Sequence, residues 1–264
     1  MKKGLFVFAL MFCCSLSAMA KVYGAGDLLP CGEQRCEKSG ALANGILKEY
    51  HENGNLRYET PYKNGVLEGV GKFYYENGNL WIEISYKNGV REGVEKTYRE
   101  NGNLFIEIPY KNGVLEGVAK VYYENGNLKS ETPYKNGVRE GIAKEYDENG
   151  NLAVEIPYKN GVREGVAKAY YVNGNLSIEV PWQNDKIEGV EKEYYENGNL
   201  WMEIPYKNGV REGLAKAYYV NGNMKWEIIS KAGKAISGVM YEMYSGKKQE
   251  MTNAHLHNAM KELP

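Results

Sequence analysis

The sequence predicts an all-β fold, an elongated, curved antiparallel ribbon of β-hairpins with a short capping helix at its C-terminal end. The main observation is an Asn-Gly-Asn triplet that recurs every 24 residues without insertion or deletion. The chain is also rich in turn-forming and aromatic residues, with 31 glycines and 23 tyrosines among 264 residues. No apolar run reaches the roughly 18 residues of a spanning helix, which excludes a protein with several membrane spans. The triplets begin at Asn53, Asn77, Asn101, Asn125, Asn149, Asn173, Asn197 and Asn221.

The first segment, residues 1–20, has the pattern of a secretory signal peptide. Lys2 and Lys3 form a basic start, 4–16 is apolar, and Ala-Met-Ala ends the segment at Ala20, after which cleavage is expected. The predicted destination is therefore the periplasm, the outer membrane or the outside of the cell. A short membrane anchor and a lipid attached to a cysteine of this segment are the alternatives.

Residues 21–43 are predicted to form an N-terminal cap for the ribbon. Cys31 and Cys36 lie in this segment, and in an oxidising compartment they would most simply form a local disulfide. A metal site is less favoured, because cleavage after Ala20 would remove the other two cysteines, Cys13 and Cys14, and the histidines are only His51, His255 and His257.

Residues 44–246 form the repeat array, with eight units of 24 residues. A typical unit holds two Asn-Gly pairs flanked by alternating apolar residues, for example at Asn125 and Asn136, and this pattern is the strongest short-range hairpin signal. A unit is therefore predicted to be two short strands, or about 16 strands in all. Pro133 and its counterparts are expected to end the second strand, because proline has no N–H to donate.

Two hairpin registers are compatible with the repeat. A three-residue turn with a bulge pairs Tyr122 with Leu128, whereas a two-residue turn places Lys120 opposite Glu131. We favour the first register. It is expected to bury one stripe that contains Val118, Lys120 and Tyr122 together with Leu128, position 130, Thr132 and Tyr134, with the lysine stem lying over it.

Residues 247–264 are predicted to be a helical cap. The pattern of an amphipathic helix runs from Thr252 to Leu263, and such a helix would cover the open edge of the last strand. Its apolar side is formed by Leu256, Ala259, Met260 and Leu263.

Segments such as YYENGNLKSETPYKNGVREG, residues 122–141, resemble the MORN-repeat variant family (membrane occupation and recognition nexus). The resemblance extends from Asn44 to about Gly246, and Tyr, Asn-Gly, Glu, Tyr-x-Asn-Gly and Glu-Gly recur in order in almost every unit. It implies a curved β-hairpin ribbon with a binding or scaffolding role rather than catalysis. It also implies a relation to the bacterial YwqK-like antitoxin grouping.

No catalytic, cofactor-binding or metal-binding site is predicted, because enzymes need unlike residues that converge on a pocket, whereas this chain repeats the same residues at equal steps. One position varies in an informative way. Trp81, Phe105 and Trp201 occupy a slot that holds Arg, Lys, Ala or Ser in other units, and this slot is expected to face outward as an interaction stripe. Local packing against a neighbouring tyrosine is the alternative.

A ladder of glutamates also recurs, and we interpret it as a solvated structural row, with contact to a cationic partner as the alternative. Its members are Glu59, Glu83, Glu107, Glu131, Glu155, Glu179, Glu203 and Glu227.

The sequence thus predicts an exported, non-enzymatic scaffold that binds another protein through one face of the ribbon. The alternatives are a protein that binds envelope glycan or lipid, and an immunity protein that neutralises an exported toxin. With 33 Lys and Arg against 34 Asp and Glu, the chain lacks the basic excess that nucleic acid or anionic lipid requires.

Overall fold

The computed structural model describes residues 45–262, and most of this stretch is antiparallel β-sheet. The predicted all-β hairpin ribbon is confirmed. The predicted signal peptide (1–20) and the predicted N-terminal cap (21–43), with Cys31 and Cys36, lie outside the described residues. So do Leu263 and the side chain of Met260.

Eight units of 24 residues, beginning at Gly45 and ending at residue 236, follow one another along the sheet. Each unit opens with a six-residue strand, continues through a five-residue tip loop into an eight-residue strand, and, in units 1 to 7, ends with a two-residue strand. The six-residue strands are β1 (Gly45–Tyr50), β4 (Gly69–Tyr74), β7 (Gly93–Tyr98), β10 (Gly117–Tyr122), β13 (Gly141–Tyr146), β16 (Gly165–Tyr170), β19 (Gly189–Tyr194) and β22 (Gly213–Tyr218). The eight-residue strands are β2 (Leu56–Lys63), β5 (Leu80–Lys87), β8 (Leu104–Lys111), β11 (Leu128–Lys135), β14 (Leu152–Lys159), β17 (Leu176–Gln183), β20 (Leu200–Lys207) and β23 (Met224–Lys231). The two-residue strands are β3 (Val66–Leu67), β6 (Val90–Arg91), β9 (Val114–Leu115), β12 (Val138–Arg139), β15 (Val162–Arg163), β18 (Lys186–Ile187) and β21 (Val210–Arg211).

The hairpin register combines the two alternatives that the sequence analysis treated as exclusive. In unit 4, Tyr122 pairs with Leu128 and Lys120 also pairs with Glu131. Both pairings coexist because Lys129 is an extra residue in β11, so that the register shifts by one between Val121 and Tyr122. The same bulge recurs in every unit.

The prediction of the buried stripe is wrong for the residues of the first strand, Val118, Lys120 and Tyr122. Ala119 is 0% exposed and pairs with Thr132, whereas Val118 is 42% exposed and pairs with Pro133. The buried side, which we call the inner face, carries the third and fifth residues of each six-residue strand and the third, fifth and seventh residues of each eight-residue strand. Val118, Lys120 and Glu131 therefore lie on the opposite side, the outer face.

The prediction that proline ends the second strand is wrong. Pro133 lies inside β11 and faces the point where the neighbouring chain bends away, so no ladder hydrogen bond requires its missing N–H. That bend falls at each Glu-Gly pair and separates the two-residue strands from the six-residue strands that follow, which raises the number of strands between residues 45 and 262 to 25. Gly117 at one such bend has a φ of 115°, and a Cβ there would lie 3.2 Å from Cγ of Pro109.

The C-terminal helix is confirmed as α1 (Asn253–Glu262), but it does not cover the edge of the sheet. That position is taken by β25 (Lys248–Glu250), which pairs with β24 (Lys234–Tyr241). The helix instead packs Leu256 and Ala259 against an inner-face cluster that includes Trp226.

Candidate functional site

The most regular residues of the repeat are used to join neighbouring units. In seven places a tyrosine hydroxyl donates to a glutamate of the preceding unit over 2.7–3.0 Å. Burial, together with this hydrogen bond, raises the pKa of six of these tyrosines to about 12. The pairs are Tyr74–Glu59, Tyr122–Glu107, Tyr146–Glu131, Tyr170–Glu155, Tyr194–Glu179, Tyr218–Glu203 and Tyr241–Glu227. Most of the predicted glutamate ladder therefore serves the sheet itself.

Both turns of a unit are also tied to the next unit. At the tip loop, Nδ2 of Asn79 donates to the carbonyl oxygen of Glu100 over 2.7 Å. At the two-residue turn, the backbone N–H of Asn112 donates to Oε2 of Glu92 over 2.6 Å. Equivalent bonds recur along the array, so these side chains are committed to stacking the units.

A line of paired side chains at the hairpin tips varies from unit to unit, and we call it the tip row. It consists of the first residue of each tip loop and the bulge residue of the following strand. The pairs are His51/Arg57, Tyr75/Trp81, Arg99/Phe105, Tyr123/Lys129, Asp147/Ala153, Tyr171/Ser177, Tyr195/Trp201 and Tyr219/Lys225.

The three residues of the predicted interaction stripe belong to the tip row and are half-buried. The ring of Trp81 lies 5.7 Å from that of Tyr75, and Trp201 lies 6.0 Å from Tyr195. The guanidinium of Arg99 lies 4.0 Å from the ring centroid of Phe105. Trp81 and Trp201 also pack against inner-face clusters, so the bulge turns this slot away from the outward position expected for it. An interaction role for the three residues stays a prediction.

Unit 5 departs from the others at its tip. In other units the first loop residue reaches a carbonyl oxygen of the next unit, as the hydroxyl of Tyr123 does over 2.8 Å. In unit 5 this residue is Asp147, which accepts bonds from the backbone N–H groups of Asn149 and Asn151 and from Nδ2 of Asn151. These groups therefore stabilise their own loop, and the tip asparagines of unit 5 make no bond to unit 6.

A concave hollow opens between the tips of units 1 and 2. Its volume is about 330 Å³. Six of its eight lining residues carry aromatic rings, and the other two are Arg57 and Glu76. The lining residues are His51, Arg57, Tyr58, Phe73, Tyr74, Tyr75, Glu76 and Trp81.

Sequence reasoning missed a second surface, an exposed aliphatic row on the outer face. Its members are 40–59% exposed and run the length of the array. In five of the eight units the signal was a small residue next to the aliphatic one, as Ala119 is next to Val118, because this small residue packs inward. The row is Ile46, Val70, Val94, Val118, Ile142, Val166, Val190 and Leu214.

The part of the chain that the structure describes contains neither a metal-binding cluster nor a membrane-spanning helix. No three His, Cys, Asp or Glu side chains lie close enough together to hold a metal ion. No helix between residues 45 and 262 is long and apolar enough to cross a membrane.

Comparison with known proteins places the repeat in a family. Seven segments match the MORN repeat variant, and residues 206–224 match the MORN repeat. The seven segments are 43–64, 67–88, 91–112, 115–136, 139–160, 163–184 and 187–208. No curated protein matches the chain.

Among solved structures, a chain of "Crystal Structure of TcdB2-TccC3-Cdc42" is similar, with 12% identity and a TM-score of 0.16. The similarity covers 78% of this chain but 14% of that one. The family matches, in contrast, extend over more than half of the sequence and follow the observed units. The chain belongs to the MORN repeat variant family.

Proposed function

We propose that this chain is an exported, non-catalytic scaffold that binds a protein partner along the tip row. The observation that carries the proposal is that the recurrent residues of the repeat and the variable residues of the tip row have different roles. The regular tyrosines, glutamates and asparagines join the units, whereas the bulge residue of the tip row varies among Arg, Trp, Phe, Lys, Ala and Ser on the same frame.

The chemistry of the tip row supports recognition of a protein. It combines tryptophan, tyrosine and arginine, which are the residues most enriched where partners bind tightly. Each large side chain is held by a neighbour, as Phe105 is by Arg99 at 4.0 Å, so less conformational freedom remains to be lost on binding. Export is supported by the signal-peptide pattern of residues 1–20.

The test is affinity capture from an envelope fraction, followed by a binding measurement with the purified partner. Trp81→Ala and Trp201→Ala should each weaken binding by about tenfold or more while the sheet remains folded, since buried aromatic anchors dominate such interfaces. Val118→Thr, on the outer face, is the matched control and should bind normally.

A partner whose affinity responds to Val118→Thr but to neither tryptophan variant would move the interface to the outer face and overturn the assignment to the tip row. Export is tested separately, by locating the full chain in cell fractions and sequencing the N-terminus of the mature protein. An uncleaved chain in the cytoplasm would contradict it.

A further inference from the structure

The hollow between units 1 and 2 differs from the equivalent places along the ribbon. It holds Phe73 on the inner face and Trp81 at the bulge, whereas the junction of units 6 and 7 has Glu193 and Trp201 there. The ring of Phe73 lies 5.9 Å from that of Tyr58, and that of Trp81 lies 5.7 Å from that of Tyr75. Two packed ring pairs therefore line one concave space of about 330 Å³, at the small end of the range for ligand pockets.

The hydroxyl groups around the hollow are committed as donors. On the inner face, the hydroxyl of Tyr58 donates to Oε2 of Glu49 over 2.7 Å. The hydroxyl of Tyr74 instead binds Glu59 on the outer face. Tyr75 donates to the carbonyl oxygen of Tyr98 over 2.8 Å. Because a phenol has a single proton, the oxygens of Tyr58 and Tyr75 can only accept a further hydrogen bond. Burial, together with the hydrogen bond to Glu49, raises the pKa of Tyr58 to about 12, so this group stays protonated at neutral pH.

The charges around the hollow nearly cancel. The guanidinium of Arg57 is paired with Glu49 over 2.8 Å, and the exposed Glu76 stands at the rim. A free anion would meet the carboxylate of Glu76, and the guanidinium of Arg57 already has its counter-ion in Glu49. The lining therefore suits an uncharged molecule that offers an apolar face to the rings and several hydroxyl donors to the phenol oxygens.

We propose that this hollow binds a neutral pyranose ring of a saccharide. The C–H groups on one face of a pyranose carry partial positive charge and lie on the electron-rich face of an aromatic ring. A sugar hydroxyl donates to the phenol oxygen of Tyr58, and the outer N–H groups of Arg57 donate to a sugar oxygen. This function goes beyond protein binding along the tip row and does not depend on it.

The experiment is saturation-transfer NMR on the purified full chain, with methyl β-D-glucopyranoside as the probe and its uronate as the charged counterpart. The protein's aromatic protons are irradiated, and transfer to the ring protons of the sugar is measured. The neutral glucoside should receive saturation, and the uronate should receive markedly less. No transfer to the glucoside would overturn the proposal.

Four variants locate the site. Trp81→Ala should weaken glucoside binding by about tenfold, because it removes one ring face. Trp81→Phe should retain most of the binding, and the fold should accept it, since Phe105 is the equivalent residue of unit 3. Phe73→Ala should also weaken binding, and alanine is the natural residue at the equivalent Ala169 and Ala217. Trp201→Ala, which removes the same kind of Tyr–Trp pair elsewhere, should leave binding unchanged.

Two competitor molecules test whether the hollow binds a different kind of ligand, a cation or an amino-acid side chain. Tetramethylammonium chloride would displace the glucoside if the rings formed a cation cage, and N-acetylphenylalanine amide would displace it if the hollow held a side chain of a protein partner. Displacement by either at concentrations well below that of the glucoside would overturn the saccharide proposal. Equal binding to the Trp81→Ala and Trp201→Ala variants would overturn the location.

Discussion

Units 3 and 7 each place a glutamate at the third position of the six-residue strand, on the inner face, but the side chains around the two carboxyl groups differ. Glu95 of unit 3 is 7% exposed, and Nη1 of Arg91 lies 3.0 Å from its Oε2. Glu191 of unit 7 is 4% exposed, but the residue four positions before it is Ile187. Its Oε1 atom is buried without a hydrogen bond.

The charges next to Glu95 and Glu191 explain why the pKa values of the two carboxyl groups respond differently to burial. Burial raises the pKa of both carboxyls, and for Glu95 the guanidinium of Arg91 opposes this rise. For Glu191, the like charge of Glu193 adds to the effect of burial, Arg211 opposes it, and the pKa reaches about 7. The comparison teaches that the repeat tolerates a buried carboxyl in two ways, with a cation beside it or with a proton on it.

The largest effect is expected from Arg91→Leu, which removes the cation and leaves the buried carboxylate of Glu95 without it. Leucine is the natural residue at the equivalent Leu67 and Leu115, so the change itself should be accepted. The free energy of unfolding should fall by about 3–5 kcal/mol near neutral pH. Denaturant unfolding is the measurement, with Arg139→Leu, which faces Ala143, as the control. Equal losses in the two variants would contradict the role of the ion pair.

The next effect is the pH dependence of unit 7. The pKa of Glu191 is about 7 when folded and about 4.3 in an unfolded chain, so the folded state binds the proton more tightly. The stabilisation from this group is complete below about pH 4 and is lost as the pH rises through about 7, a change of about 4 kcal/mol. Glu191→Gln should remove this dependence. Hydrogen exchange of the amides of unit 7 across this range is the measurement, because repeat arrays open in parts.

Ile187→Arg should convert the environment of Glu191 toward that of Glu95. The new guanidinium lowers the pKa of Glu191, so unit 7 should gain about 1–2 kcal/mol above pH 7 and less below about pH 5. A carbon-13 NMR titration of the glutamate carboxyl would report the pKa directly. A gain in stability that is the same at both pH values would show that the added side chain acts by packing and not by charge.

The smallest effect is expected from Glu193→Thr, because unit 3 has Thr97 at this position. Removing the like charge lowers the pKa of Glu191 and should stabilise unit 7 by about 0.5–1 kcal/mol at neutral pH. In the Glu191→Gln background the same substitution should have less effect, and an unchanged effect there would mean that the two carboxyls do not interact.

The sequence was sufficient for the features that depend on local pattern. The 24-residue period, the hairpins at the Asn-Gly pairs and helix α1 all follow from the sequence pattern alone. The buried face was misassigned because one bulge, at Lys129 in unit 4, shifts the alternation of side chains in the middle of the hairpin. Regularity was also misleading, since the recurrent Val118 position is exposed and the small Ala119 beside it is buried.

The candidate site was less predictable than the fold. The variable slot of Trp81, Phe105 and Trp201 was visible in the sequence, but its partners Tyr75, Arg99 and Tyr195 were not assigned to it. Each partner lies across the tip loop, and the bulge sets that contact. The hollow needs Phe73 from a different strand as well, so only the three-dimensional structure brings its lining together.

The hydrogen bonds of Asp147 within its own tip loop have a mechanical consequence for the whole ribbon. The carboxylate holds the asparagines of its own loop, so at the tips the boundary between units 5 and 6 lacks the side-chain ties that neighbouring boundaries possess. Under tension, or when the ends are twisted against each other, this boundary should yield first and divide the rod into a block of five units and a block of three. The expected weak boundary of the array is thus set by a single tip residue, Asp147.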